Sequence, residues 1–159
     1  MFSSDARGIN DRGDIVGSYR DFGGTHGFLL RDGRYTTIDH PNVGSLTSAL
    51  GINDRGDVVG GYRDGARTHG YLLHDGSFTT IDYPGAASTG AFDIDDHGDV
   101  VGNYLDVTGQ HGYRLDQGGF TTIEPDGARL TNPSGLNDRG DVVGNYFDGT
   151  RQHGFLLSR

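Results

Sequence analysis

The sequence has no cysteine and no tryptophan, and its only basic residues besides histidine are arginines. Without cysteine, neither a disulfide framework nor thiolate chemistry is available. Lysine is absent and Glu124 is the only glutamate, so the chain is poor in residues that favour helices. No apolar run approaches the length of a membrane-spanning helix. These absences exclude a disulfide scaffold and disfavour a helical or membrane-embedded protein.

Glycine and acidic residues are abundant instead. The chain has 159 residues, of which 29 are glycine, and a formal net charge of −9. An acidic surface repels phosphate backbones, so we expect no nucleic-acid partner, and no basic amphipathic segment predicts binding to a membrane surface. Nothing in the composition predicts a cofactor. The length is typical of one domain, and we treat residues 1–159 as a single domain.

The chain consists of four copies of one sequence unit. Similar segments begin at residues 8, 51, 93 and 135, which are 42 or 43 residues apart. Tyrosine recurs at the same spacing (Tyr19, Tyr62, Tyr104, Tyr146), and so does histidine (His26, His69, His111, His153). Repeats of this length are typical of propellers, solenoids and other stacked arrays. The repeats span approximately residues 1–43, 44–85, 86–127 and 128–159.

The second repeat predicts four short strands, A to D. Strand A covers residues 46–52 and strand B residues 57–62, and a turn with Gly56 at a position of positive φ joins them. Strand C starts at His69, and Asp75-Gly76 predicts a tight hairpin into strand D, residues 78–82. Four antiparallel strands in about 42 residues match one blade of a β-propeller. We therefore predict an all-β propeller of four such repeats, the last lacking its outer strand D.

Several of these motifs resemble those of the HAF-repeat proteins, a bacterial group of probable extracellular repeats. The similarity lies in Gly51–Gly60, in the His-Gly-Tyr at His69, and in Phe78–Ala86, and it extends over the whole chain through the other repeats. The resemblance implies a propeller-like fold and an exported, extracellular location. It implies no enzymatic activity. The first residues, Met1–Asp5, are not typical of a signal peptide.

The repeated histidines and tyrosines are the first candidate site residues. Four symmetry-related imidazoles could form a metal site if they converged, but strand C is third from the centre of a blade. We therefore favour a structural role, in which each histidine binds the aspartate two residues after the repeat tyrosine (Asp21, Asp64, Asp106 or Asp148). Each tyrosine is expected to pack between blades with its hydroxyl group hydrogen-bonded.

The Asp-rich turns are the second candidate. Arg-Gly-Asp occurs at residues 12–14, 55–57 and 139–141, where we favour a hairpin corner over an adhesion motif. In the third repeat, Asp93, Asp95 and Asp99 partly match a calcium loop, but the twelfth position is Tyr104 and not glutamate. We favour turns whose Asn or Asp side chains bind their own backbone amides, with no metal.

Two functions remain open at this stage. Symmetric, short loops favour a non-catalytic scaffold that binds a glycan or protein partner or assembles with itself. The alternative is a polysaccharide-active hydrolase or lyase that uses carboxylates in a central channel. For the assembly, we favour a monomeric four-bladed ring over an eight-bladed ring formed by a homodimer.

Overall fold

The computed structural model of the chain describes residues 3–41 and 46–159, and all its regular structure is β-strand. The prediction of an all-β protein is confirmed. Within the described residues, no helix exists that could cross a membrane. The predicted boundary between the first and second repeats, at residues 43 and 44, lies outside the described residues.

Fifteen strands form four units, and within each unit consecutive strands pair as antiparallel hairpins. The first unit contains β1 (Ser3–Ile9), β2 (Ile15–Arg20), β3 (Thr25–Arg31) and β4 (Arg34–Ile38). The second contains β5 (Thr47–Ile52), β6 (Val58–Asp64), β7 (Arg67–His74) and β8 (Ser77–Ile81). The third contains β9 (Ser88–Ile94), β10 (Val100–Leu105), β11 (Gln110–Asp116) and β12 (Gly119–Ile123). The fourth contains β13 (Leu130–Leu136), β14 (Val142–Phe147) and β15 (Gln152–Leu157). In each unit the strands correspond in order to A, B, C and D.

Tight turns set the register of these hairpins. At the corner between strands C and D, Asp75 and Gly76 both have positive φ, at 47° and 75°. Two consecutive residues of positive φ match the right-handed twist of the strands that they join, which is why Asp-Gly is favoured there. Gly56, in the turn between strands A and B, has a φ of 88°, as predicted.

A β-bulge interrupts strand A of every unit opposite a glycine of strand B. In the second unit the register shifts between Ala49 and Gly51, close to Gly60 of strand B. A Cβ atom added at Gly60 would lie 1.9 Å from the Ser48 carbonyl oxygen and 2.9 Å from the Tyr71 ring. Glycine is therefore required here so that the aromatic ring of strand C can lie across strand B.

The core lies between the units, because each sheet packs against the next. Strand A of one unit contacts strands B and C of the unit before it, as β5 does with β2 and β3. The cluster between the first two units joins Val16 and Ile38 to Ala49, Ile52 and Tyr71. Equivalent clusters fill the second and third junctions. A single unit thus buries its apolar side chains only when a neighbour stacks on it.

The four units do not close into a ring. No strand of the first unit pairs with a strand of the fourth among the described residues, and these strands form neither a closed barrel nor a closed propeller. The closed four-bladed ring that the sequence favoured is therefore not observed. The predicted absence of strand D from the fourth unit agrees with the structure, in which β15 is an edge strand.

Candidate functional site

Each turn between strands A and B is held by the side chain of its first residue. In the second unit the Asn53 Oδ1 atom accepts hydrogen bonds from the backbone N–H groups of Arg55, at 3.1 Å, and Asp57, at 2.9 Å. Asn10, Asp95 and Asn137 make the same pair of bonds in the other units. The prediction that Asn and Asp side chains bind the turn's own amides is confirmed.

The aspartate of each Arg-Gly-Asp segment faces inward. Asp57 is buried, and its Oδ2 atom accepts hydrogen bonds from the Arg55 side chain and from Asn53 Nδ2. Burial alone would raise the pKa of Asp57, but the hydrogen bonds from His74, Asn53 and Arg55 outweigh it and lower the pKa. An adhesion motif must present its carboxylate at a loop tip, so the hairpin-corner interpretation agrees with the geometry.

A ladder of hydrogen bonds joins the four turns to each other. The backbone N–H of Asp11 donates to Asp54 Oδ1 at 2.8 Å, that of Asp54 to Asp96 at 2.7 Å, and that of Asp96 to Asp138 at 2.9 Å. Asn10 and Asn53 add side-chain bonds to the carbonyl of the next turn, each at 3.0 Å. The turns together line a shallow, open basin of about 240 Å³. We call this surface the turn face (residues 10–13, 53–56, 95–98 and 137–140).

The third turn differs from its three counterparts. Asp93 stands where the other units have glycine, and its Oδ1 and Oδ2 atoms accept hydrogen bonds from the N–H groups of Ile94 and Leu136. Burial raises the pKa of Asp93 above its usual range. Asp99 pairs with Arg114 of β11. The three candidate calcium ligands of the sequence, Asp93, Asp95 and Asp99, therefore have separate partners.

The repeat histidines of the first three units each lie between two carboxylates. His69 Nε2 lies 3.0 Å from Asp64, and its Nδ1 lies 2.9 Å from Asp82 at the end of strand D. His26, His111 and His153 contact the equivalent loop carboxylates Asp21, Asp106 and Asp148, so the partners predicted from the sequence are confirmed. Each of the four imidazoles contacts carboxylates of its own unit, and the four do not converge on one site.

The carboxylates of strand D are partners that the sequence analysis missed. Asp39, Asp82 and Glu124 bind the histidine of their own unit, thirteen residues earlier in the chain. The recurring Phe-Thr-Thr-Ile-Asp segment carried the signal, because strand D pairs with strand C and returns its last residue to the histidine. The fourth unit has no strand D among the described residues, and Asp148 of the loop is the one described carboxylate that contacts His153.

Each repeat tyrosine stacks on the histidine of its own unit. Tyr62 stacks on His69 with ring centroids 5.0 Å apart, and its hydroxyl group lies 2.9 Å from the Thr80 hydroxyl of strand D. Tyr19 and Tyr104 make the equivalent threonine contacts, and Tyr146 stacks on His153. From the preceding unit, His40 stacks on the other face of Tyr62 at 3.7 Å. Tyr62 and Tyr104 are thus packed at junctions between units with their hydroxyl groups hydrogen-bonded, as predicted.

The two ends of the array expose the residues that other units bury. Ile9 of β1 is 68% exposed, whereas its counterparts Ile52 and Ile94 are 5% and 4% exposed. Val143 of β14 is 47% exposed, whereas Val16, Val59 and Val101 are each 0% exposed. We call the first surface the leading face (Ala6, Ile9, Ile15, Leu30, Tyr35) and the second the trailing face (Val143, Leu156). They are the two halves of the junction that joins internal units.

Comparison with known proteins gives no further assignment: no model of a known protein family matches the chain, and no curated protein resembles it significantly.

Proposed function

We propose that the chain is a non-catalytic repeat scaffold of propeller-like units that assembles with a second copy of itself through its leading and trailing faces. The observation that carries this proposal is the exposure of Ile9 and Val143 at positions that are buried at every internal junction of the described chain, apart from the half-buried Leu136 counterpart of Ile9. The partner is a second copy of the chain, because its end units present the surfaces that pack against each other at the internal junctions.

The apolar contacts of an internal junction show what the assembled faces would bury. At the second junction, Val59 and Leu72 of one sheet meet Ala91 and Ile94 of the next. The counterparts at the ends are Val143 and Leu156 on the trailing face, and Ala6 and Ile9 on the leading face. Leu156 is 66% exposed. Burial of these side chains in a second copy supplies the same driving force that joins the internal units.

Polar groups at the two ends are complementary as well. The backbone N–H of Asp138 occupies the position from which each earlier turn donates to the next, and Asp11 carries the carboxylate that accepts at that position. A second copy on the trailing face would extend the ladder by one hydrogen bond. The backbone N–H of Asp138 in the first copy would donate to the Asp11 carboxylate of the second copy. The contact is head-to-tail, so it produces either a closed ring or an open chain of copies.

The polysaccharide-active alternative would use the carboxylates that line the basin between the turns. Its candidate acid is Asp93, because a raised pKa suits a proton donor. Both oxygens of Asp93 are already bound by backbone amides of two units, which supports a structural role instead. Replacing Asp93 by alanine should therefore leave any hydrolytic activity intact, and loss of such activity in a folded variant would favour the enzyme.

The resemblance to HAF-repeat proteins supports an extracellular setting for such a scaffold. A propeller-like closure of the array is part of the same proposal. Each unit after the first packs on the unit before it, as blades do in a propeller, and further copies would add more units to the array.

Light scattering of the purified chain at tens of micromolar tests self-assembly. We expect a mass that is a multiple of the chain mass of 17.0 kDa, and a mass of one chain would contradict the proposal. Val143→Asp should shift the mass to that of one chain because it places a charge in the junction. Thr121→Asp is the matched control, since Thr121 is exposed on strand β12 and belongs to neither end face.

A further inference from the structure

The third turn breaks the repeat at three positions that matter chemically. Asp93 replaces glycine, Asp95 replaces asparagine, and His97 replaces arginine. Together these changes remove a guanidinium and add two carboxylates and an imidazole to one turn. Asp95 and His97 lie on the turn face, Asp93 precedes them near the end of β9, and Asp93 also contacts Leu136 of the fourth unit.

Two of the new side chains meet a carboxylate of the neighbouring turn. One ligand atom each from Asp95, His97 and Asp138 lies within 4.8 Å of the others. The Nδ1 atom of His97 is 3.7 Å from Asp95 Oδ2. Asp138 is held in place because its Oδ1 atom accepts the N–H of Asp96 at 2.9 Å. The three groups come from two units and face one point.

The Asp95 Oδ2 atom has no hydrogen-bond donor among the described residues. The Asp95 side chain is only 1% exposed, and its Oδ1 atom accepts both of its described hydrogen bonds. At the equivalent place in the second turn, Asn53 Nδ2 donates to Asp57 Oδ2 and to the Asp95 carbonyl, each at 3.0 Å. A carboxylate oxygen cannot donate to such acceptors. A carboxylate oxygen without a described donor, on a side chain that is almost fully buried, is an available ligand for a cation.

We propose that Asp95, His97 and Asp138 bind a divalent transition-metal ion of the zinc type at the junction of the third and fourth units. An imidazole with two carboxylates suits Zn²⁺, whereas calcium prefers an all-oxygen set of six to eight ligands. Three protein ligands leave the remaining position to water. The ion would neutralise the Asp95 carboxylate and join Asp138 of the fourth unit to the third turn.

The other turns explain why one site is expected per chain. Arg55 and Arg139 occupy the place of His97, and their guanidinium groups bind the turn aspartates Asp57 and Asp141. In the third turn the aspartate is Asp99, and its carboxylate is bound instead by the Nη2 atom of Arg114. His97 is thereby left exposed and available to a metal.

Titration calorimetry with Zn²⁺ alone tests the site. We expect one ion per chain for the wild type, and at least tenfold weaker binding for Asp95→Asn and for His97→Arg. Both variants introduce residues that the sister turns already contain, so they should fold; circular dichroism checks this. Absorption of bound Co²⁺ in the visible range gives a second readout, which both variants should lose.

A matched control separates this site from general binding to histidines. Arg55→His gives the second turn an imidazole but leaves Asn53 in place of the buried carboxylate, so the variant should still bind one ion. The proposal is wrong if the wild type binds no Zn²⁺, or if His97→Arg and Asp95→Asn bind it as tightly as the wild type. A second ion bound by Arg55→His would show that the buried carboxylate is not needed, and would also contradict the proposal.

Discussion

Individual histidines in this chain have opposite electrostatic environments. His26 lies between Asp39 and Asp21. Burial favours its neutral form, but the two carboxylates outweigh that effect and raise its pKa above 6.5. His40 is buried against Tyr62, and burial together with the charge of His69 lowers its pKa below 6.5.

The pKa of His26 should therefore lie above the ordinary imidazole pKa of 6.5, and the pKa of His40 below it. His26 stabilises the fold most below pH 6.5, and this contribution is lost as the pH rises through its higher folded pKa. His40 stabilises the fold above pH 6.5, and its contribution is lost as the pH falls through its lower folded pKa. A titration of the imidazole proton resonances by NMR measures both values. A pKa of His40 above that of His26 would contradict the assigned environments.

A pair of adjacent glycines tests the packing of one sheet. Gly60→Ala should lower the free energy of unfolding by roughly 3 kcal/mol, because the new methyl group would collide with the Ser48 carbonyl and the Tyr71 ring. Gly61→Ala is the control, since the nearest atoms to its Cβ are 3.6 Å away. It should change the stability by less than about 1 kcal/mol. Chemical denaturation of both variants gives the comparison, and equal losses would show that the crowding at Gly60 is misassigned.

At the scale of single residues, the sequence predicted contacts that lie close along the chain. The bond from His69 to Asp64 joins residues five positions apart in the chain and follows from the repeat spacing. The bond from His69 to Asp82 depends on how strands C and D pair, and the sequence analysis did not use that register. The cluster of Asp95, His97 and Asp138 was also missed, because it depends on the packing of two units.

Among the elements, the turn between strands A and B joins a unit to its neighbour. Asn53 holds its own turn with Oδ1 and reaches the Asp95 carbonyl of the next unit with Nδ2. Asn137 makes the same bonds within its turn, but no described unit follows it. The two asparagines therefore differ in one bond between units and in burial, since Asn53 is 4% exposed and Asn137 is exposed.

Alanine substitutions at these two asparagines measure that difference. Asn53→Ala should destabilise the chain by roughly 3 kcal/mol, because it leaves the buried Asp57 N–H and the half-buried Arg55 N–H without an acceptor and removes the bond to the next unit. Asn137→Ala should cost about 1 kcal/mol, since water can replace the lost bonds in an exposed turn. Thermal or chemical denaturation compares them. A larger loss for Asn137→Ala would mean that the ladder between turns contributes little.

The strands themselves were the most predictable part of the fold. In the second unit the four predicted strands agree with β5 to β8 to within two residues at each end, because glycine-containing turns mark the corners and β-branched or aromatic residues fill the strands. The bulge opposite Gly60 was not predicted. It lies in strand A beside Gly60, where the Tyr71 ring of strand C also packs, and no local sequence pattern marks its position.

For the whole molecule, the repeat number alone did not determine closure. Four copies of a blade-sized unit favoured a closed ring, but closure depends on the angle between neighbouring sheets, which the spacing of 42 or 43 residues does not contain. The described units form an open array with Ile9 exposed at one end and Val143 at the other. The proposed self-assembly follows from this openness.

Mixing two end-blocked variants tests head-to-tail assembly most directly. Ile9→Arg blocks the leading face, and Leu156→Arg blocks the trailing face, while each variant keeps the other face intact. We expect each variant alone to have the mass of one chain by light scattering, and the equimolar mixture to contain a complex of twice 17.0 kDa. A mixture that keeps the mass of a single chain, or a blocked variant that still pairs with itself, would contradict the account.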